Sequence, residues 1–165
     1  MLGGGRMWDA AKNAAALCAA GGRCAWPVAI AGADGADAPD GVRLLGHLTF
    51  ADLAVWLARA AIYAAPARYE PFGLGILEAA MSGCALVLGD IPSLRELWDD
   101  AAVFVDPDDH GALSDALDRL AASPAERAQL AGAATVRARR YGVDVSGAAY
   151  AAEYRQVVER AGAHA

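Results

Sequence analysis

Residues 61–88 read A-I-Y-A-A-P-A-R-Y-E-P-F-G-L-G-I-L-E-A-A-M-S-G-C-A-L-V-L. The stretch opens on a short apolar run, Ala61 to Ala64, and closes on another, Ala85 to Leu88. Between them lie a loop interrupted by Pro71 and a helical pattern over 73–82 that stops before Gly83. Four-residue apolar runs bounded by turn residues read as strands buried on both faces, as in a parallel sheet. Strand, helix and strand in that order argue for an open α/β sheet covered on both sides.

The same alternation extends outward. Val28 to Ala31, Val42 to Leu45 and Ala102 to Val105 repeat the short apolar run, and helical patterns over 9–20 and 50–59 fall between the strands. A short turn is expected near 93–98. Beyond Val105 the pattern is helical alone. Leu113, Ala116, Leu117 and Leu120 recur at helical spacing, a helix over 110–122 that begins near His110. Ser123-Pro124-Ala125-Glu126 reads as a capping box with proline at the first helical position. Tyr150, Tyr154 and Val157 mark a last helix and are expected to face the core. Asp34 to Asp40 reads as a solvated loop, and His164 lies in a tail expected to fray. Met1 to Gly5 is too short and glycine-rich for a regular strand, yet the helix starting at Asp9 should follow one. Either that strand is a stub or upstream residues are missing.

Length and composition narrow the function. A chain of 165 residues suits one domain with a real core. Apolar residues make up 56% of it, and about a quarter of the chain is alanine, so the excess is in small side chains. No apolar run reaches the roughly 18–20 residues of a membrane span, and no charged-then-apolar signal pattern opens the chain. A net charge of −6 gives no basic footprint for nucleic acid or anionic lipid. Three cysteines, Cys18, Cys24 and Cys84, lack C-x-x-C spacing, which argues against a zinc site or disulfide framework and fits a reducing cytoplasm. Lys12 is the only lysine, so any Schiff-base chemistry would have to use it. No Ser/His/Asp or Cys/His arrangement and no metal-ligand spacing is readable.

In a parallel open sheet ligands bind at the carboxyl edge, and three segments of this chain should converge there. In Gly5-Arg6-Met7-Trp8-Asp9-Ala10-Ala11-Lys12-Asn13, Arg6 falls in a loop and Lys12 in the first turns of a helix. Two cations there oppose the helix dipole unless an anion such as a diphosphate is present; otherwise they pair with Asp9 on the surface. In Arg68 to Met81, Pro71 keeps Glu70 in the loop while Glu78 lies inside the helix. The turn at Phe72-Gly73-Leu74 presents free N–H groups. Amides with two carboxylates suit a polyhydroxylated ligand carrying phosphates; taken separately, Glu70 offsets the helix dipole and Glu78 is solvated. Gly73 and Gly75 mimic a dinucleotide fingerprint, but Glu78 occupies the position that needs Gly or Ala, so a hydride-transfer cofactor is not supported. The third segment is Leu45-Gly46-His47-Leu48-Thr49-Phe50, a loop able to receive a nucleobase or simply to expose His47.

Glu70-Pro71-Phe72-Gly73-Leu74, with Glu78-Ala79 and Gly83, resembles the E-x(7)-E signature of retaining glycosyltransferases with two Rossmann-like domains, the GT-B type of the family-four or glycogen-synthase-like group. Gly5-Arg6 with Lys12 resembles the diphosphate-binding Arg/Lys pair of that group. The resemblance runs from about Gly5 to Tyr154 and covers the C-terminal, donor-binding domain only. It implies a Rossmann-like doubly wound sheet of six parallel strands ordered 3-2-1-4-5-6, with helices on both faces and extra C-terminal helices, as a single domain over 1–165. Arg6 and Lys12 would neutralise the diphosphate of a nucleotide-sugar, helped by the amides near Gly73 and Leu74. Glu78 would hold the ribose diol, Glu70 with the amides of Phe72 and Gly73 would orient the sugar, and His47 and Leu48 would bracket the base. Such enzymes use no cofactor and are typically metal-independent. The acceptor site belongs to an N-terminal domain expected to be missing here, so the chain reads as an excised fragment or as one half of a split enzyme. Two alternatives stand: a non-catalytic domain that pairs with a partner chain, or a related sugar-nucleotide epimerase.

Overall fold

The computed structural model describes residues 1–33 and 38–162. Asp34 and Asp37 of the expected solvated loop, and His164, lie outside the described residues; Asp40 is exposed. Six strands form one parallel sheet: β1 (Leu2–Gly4), β2 (Val28–Ala31), β3 (Val42–Leu44), β4 (Ile62–Ala65), β5 (Ala85–Gly89) and β6 (Val103–Val105). Their order, β3-β2-β1-β4-β5-β6, is the expected one. The chain winds outward one way from β1 and then returns to pair β4 on the other side of it, so the winding direction switches between β1 and β4. In doubly wound sheets that switch opens a crevice at the carboxyl ends of the strands.

Strand side chains alternate between two cores. Ile62, Ala64, Ala85 and Val87 face one layer with Ala16, Leu17, Leu113 and Leu117, from the helices α1 (Ala14–Gly21) and α5 (His110–Ala122). Tyr63, Leu86 and Leu88 face the other, against α2 (Phe50–Arg59), α3 (Leu74–Met81), α4 (Pro92–Trp98) and α6 (Pro124–Ala138). The central strands are buried on both faces as expected, whereas Arg43 on the edge strand β3 is exposed. The turn expected near 93–98 is the helix α4. The Ser123 hydroxyl accepts from the Glu126 N–H at the start of α6, as the capping box predicts.

The glycine-rich start forms a strand of three residues, β1, the stub that the sequence left open, and it lies in the middle of the sheet. A Cβ on Gly3 would stand 2.7 Å from Leu17 Cδ1 and 3.1 Å from the Ala64 carbonyl, so a larger residue there would have to push the Leu17 side chain aside. Two expectations need correction. The helix expected over 9–20 is two pieces. A 3-10 turn, Ala10–Lys12, is closed by Asn13 in the left-handed region (φ 59°), and α1 begins only at Ala14. Finally, Tyr150, Tyr154 and Val157 do not face the core. They lie on α7 (Val143–Gly162), which follows a second 3-10 turn, Arg139–Tyr141, and Tyr154 is 70% exposed. Both sheet faces are already covered by the earlier helices, so the sheet itself does not receive this stripe.

The three cysteines are free. Cys84 is fully buried, its thiol donating to the Ala60 carbonyl (3.2 Å), and burial pushes its pKa up to about 11. The thiolate is the reactive form. Iodoacetamide at pH 8 is therefore expected to leave Cys84 unlabelled in the native protein and to label it once the chain is denatured, read by mass spectrometry. Native-state labelling of Cys84 would contradict its place in the core.

Candidate functional site

The loops after β1 and β4 meet at the topological switch. In the first, the Asp9 carboxylate accepts from the Ala11 N–H (3.0 Å) and starts the 3-10 turn that carries Lys12. Asp9 is thus used as a cap, and Lys12 turns instead to the second loop. Its Nζ donates to Glu70 Oε2 at 2.6 Å, with the two side chains only 16% and 18% exposed. Lys12 precedes α1 rather than lying in its first turn, the break at Asn13 being what frees it to reach across. Arg6 is exposed at the mouth of the crevice, its guanidinium carbon 5.7 Å from the centre of the Trp8 ring.

In the second loop Pro71 bars Glu70 from helical geometry, and the Ser93 hydroxyl fixes the Glu70 carbonyl (2.7 Å). Gly73 then takes φ 82° as the residue before α3. A Cβ there would press on Ile76 Cδ1 (2.7 Å) and Glu70 Cγ (3.3 Å), so glycine is needed both for the turn and for the position of Glu70. No side chain caps α3, and its first-turn amides have no partner within the helix. They add partial positive charge to the crevice. Glu78 lies one turn further along the same helix.

All nine residues singled out from the sequence line one cleft of about 610 Å³: Arg6, Lys12, His47, Leu48, Glu70, Phe72, Gly73, Leu74 and Glu78. Tyr63, on β4, also lines it and was not singled out. Its hydroxyl donates to the Gly4 carbonyl (3.1 Å), and burial, then the carboxylates of Glu78 and Glu70, push the phenol pKa up. A single tyrosine within an apolar strand run gave no local sign of this place. Two cations and a row of amides thus share the cleft with two carboxylates. Such a set holds a phosphate-bearing ligand by its anionic part and accepts hydrogen bonds from its hydroxyls. Among the described residues no group of three or more His, Cys, Asp or Glu is placed to hold a metal ion, and no helix is long and apolar enough to cross a membrane.

Sheet order and cleft define a Rossmann-like α/β domain whose carboxyl edge gathers charged side chains and the uncapped start of α3. Residues 6–123 match the family Glycosyl transferases group 1, and the chain belongs to that family. It is 40% identical over 73 residues to O-antigen chain mannosyltransferase B of Escherichia coli, covering 44% of this chain and 19% of that protein. It is 37% identical over 110 residues to the D-inositol 3-phosphate glycosyltransferase of Xylanimonas cellulosilytica, covering 66% of this chain and 26% of that one. Among solved structures, sucrose-phosphate synthase from Thermosynechococcus elongatus superposes with a TM-score of 0.85 at 22% identity, over 96% of this chain and 45% of that one. HepE from Anabaena, in complex with UDP, gives 0.76 at 19% identity over 93% and 48%. The chain spans about a quarter or less of these curated relatives and just under half of these solved structures.

Proposed function

We propose that this chain is the donor-binding domain of a retaining, metal-independent glycosyltransferase and that its cleft takes a nucleoside-diphosphate sugar. The observation that carries this reading is the convergence of Arg6, Lys12, Glu70, Glu78 and the uncapped start of α3 on one cleft. Lys12, one of whose three N–H bonds is spent on Glu70, turns the others to the diphosphate, and Arg6 closes on it from the mouth. Glu78 accepts from the ribose diol, while Glu70 and the amides of Phe72 and Gly73 orient the sugar. His47 and Leu48 lie against the base. When the bond from the anomeric carbon to the diphosphate oxygen breaks, its electron pair stays on the diphosphate. Fixed cations and amides aimed at that oxygen are where rate enhancement arises. In this reading the chain holds donor by itself, and transfer waits on a second domain that brings the acceptor, in cis or as a separate chain. The uncovered apolar stripe of α7 supports such a covering partner.

Calorimetry with UDP-, GDP- and ADP-sugars tests the reading. A folded sample that binds none of them at millimolar concentration sinks it. Glu78→Ala is expected to weaken nucleoside diphosphate binding by about 1–3 kcal/mol, the range for losing a charge-assisted hydrogen bond. The same variant should leave inorganic diphosphate binding unchanged, since that probe has no ribose. Equal losses for both probes would remove Glu78 from the ribose role.

A further inference from the structure

Next to Lys12, the buried side chain of Asn13 uses all the bonding positions this site offers it. Its Nδ2 donates to the carbonyls of Pro66 (2.9 Å) and Pro107 (2.7 Å), and its Oδ1 accepts from Arg68 Nη1 (2.6 Å). Arg68 continues the chain, with Nε and Nη2 donating to Asp108 Oδ1 (2.9 and 2.7 Å) and its backbone N–H donating to the Ala11 carbonyl (2.9 Å). Three loops, after β1, β4 and β6, are therefore tied at one amide that is 2% exposed. Lys12 and Glu70 ride on two of those loops, one and two residues from the tie.

We propose that Asn13 is a positioning residue for the anion site: its amide, with Arg68, fixes where Lys12 stands against Glu70 and hence where the remaining ammonium N–H bonds point. The proposal rests on the donor-site reading above and adds to it the device that holds the cation in place. A left-handed backbone explains an asparagine or a glycine at this position. It does not explain an amide whose three bonds all go to the loops around Lys12.

Asn13→Gly separates the two explanations, because glycine keeps the backbone conformation and loses the three bonds. Inorganic diphosphate is the probe, titrated calorimetrically at low ionic strength into the full chain, alongside Lys12→Ala and the double variant. The expected result is a folded Asn13→Gly protein with affinity down about tenfold, the equivalent of one hydrogen bond's worth of misplacement. In the Lys12→Ala background the same change should cost no more than about twofold, since there is no ammonium left to position. A structural role alone would lower thermal stability while leaving affinity unchanged, or would weaken binding equally in both backgrounds; either result overturns the proposal. Should Asn13→Gly fail to fold, Arg68→Met at a 44% exposed side chain removes the donor to Asn13 Oδ1, with the same dependence on Lys12 expected. An unchanged affinity in these variants with Lys12→Ala still weakened overturns positioning and leaves the donor site standing. A folded wild-type chain that binds neither inorganic diphosphate nor any of the nucleoside-diphosphate sugars overturns both, and one that binds the sugars but ignores inorganic diphosphate overturns positioning alone.

Discussion

Trp98→Ala is expected to lower the unfolding free energy by about 3–5 kcal/mol, the usual cost of emptying a buried tryptophan site, against a total of roughly 5–15 kcal/mol for a domain. Trp98 ends α4 at 1% exposure, in the same cluster as Leu94, Ala134 and Ala138. Its ring also lies 6.3 Å from Tyr141, which meets Phe72 edge-on at 5.4 Å, so one aromatic row runs from the core to the cleft. Trp98 carries a liability as well. Its Nε1 is buried with no hydrogen-bond partner among the described residues, a state that costs about 1–3 kcal/mol. Trp98→Phe keeps most of the volume and removes the orphaned donor, so it should cost under about 2 kcal/mol. Urea unfolding of the two variants checks both numbers. A phenylalanine variant as unstable as the alanine one would mean that the indole N–H is satisfied.

What the sequence showed of this fold, and what it hid, follows one physical division. Val28 to Ala31 and Ala85 to Leu88 announce themselves because burial on both faces leaves only apolar residues in the run. α2 and α5 fall where their helical spacing places them, because that signal is local. Gly3 is the opposite case. Its strand is made by pairing with β2 and β4, with Leu17 packed over it from a helix fourteen residues on, and no property of Met1 to Gly5 carries those contacts. Asn13 interrupts an alanine-rich run that is helical by propensity, and its reason for doing so lies in Pro66, Arg68 and Pro107. The stripe of Tyr150, Tyr154 and Val157 gives the period of α7 correctly but not what it faces, since periodicity specifies a face and not its neighbour. For the cleft, the E-P-F-G-L turn and the two cations could be found because Pro71 and Gly73 leave a local mark. The pairing of Lys12 with Glu70 rather than with Asp9 could not, being a contact across 58 positions.

That pairing sets the largest effect expected on binding. In the proposed donor site, Lys12→Ala removes the cation assigned to the diphosphate and also leaves the Glu70 carboxylate, 18% exposed, without its partner. Truncating one member of a desolvated, hydrogen-bonded charge pair costs about 2–5 kcal/mol, so nucleoside diphosphate affinity should fall by about 30- to 4000-fold. Glu70→Gln acts in the opposite direction on the same ligand. The amide oxygen still accepts from Lys12, the like charge beside the phosphates is gone, and affinity for inorganic diphosphate should hold or rise severalfold. For a full nucleotide-sugar the gain should vanish if Glu70 holds the sugar as proposed, because the carboxylate assigned to the sugar hydroxyls has been lost. Placing Glu70→Gln in the Lys12→Ala background should recover part of the loss, the part owed to the uncompensated carboxylate. Calorimetry on the four proteins with inorganic diphosphate and with the bound nucleotide-sugar separates these contributions. If Glu70→Gln weakened inorganic diphosphate binding as much as Lys12→Ala does, Glu70 would be contributing to the anion site itself, and its assignment to the sugar would have to be given up.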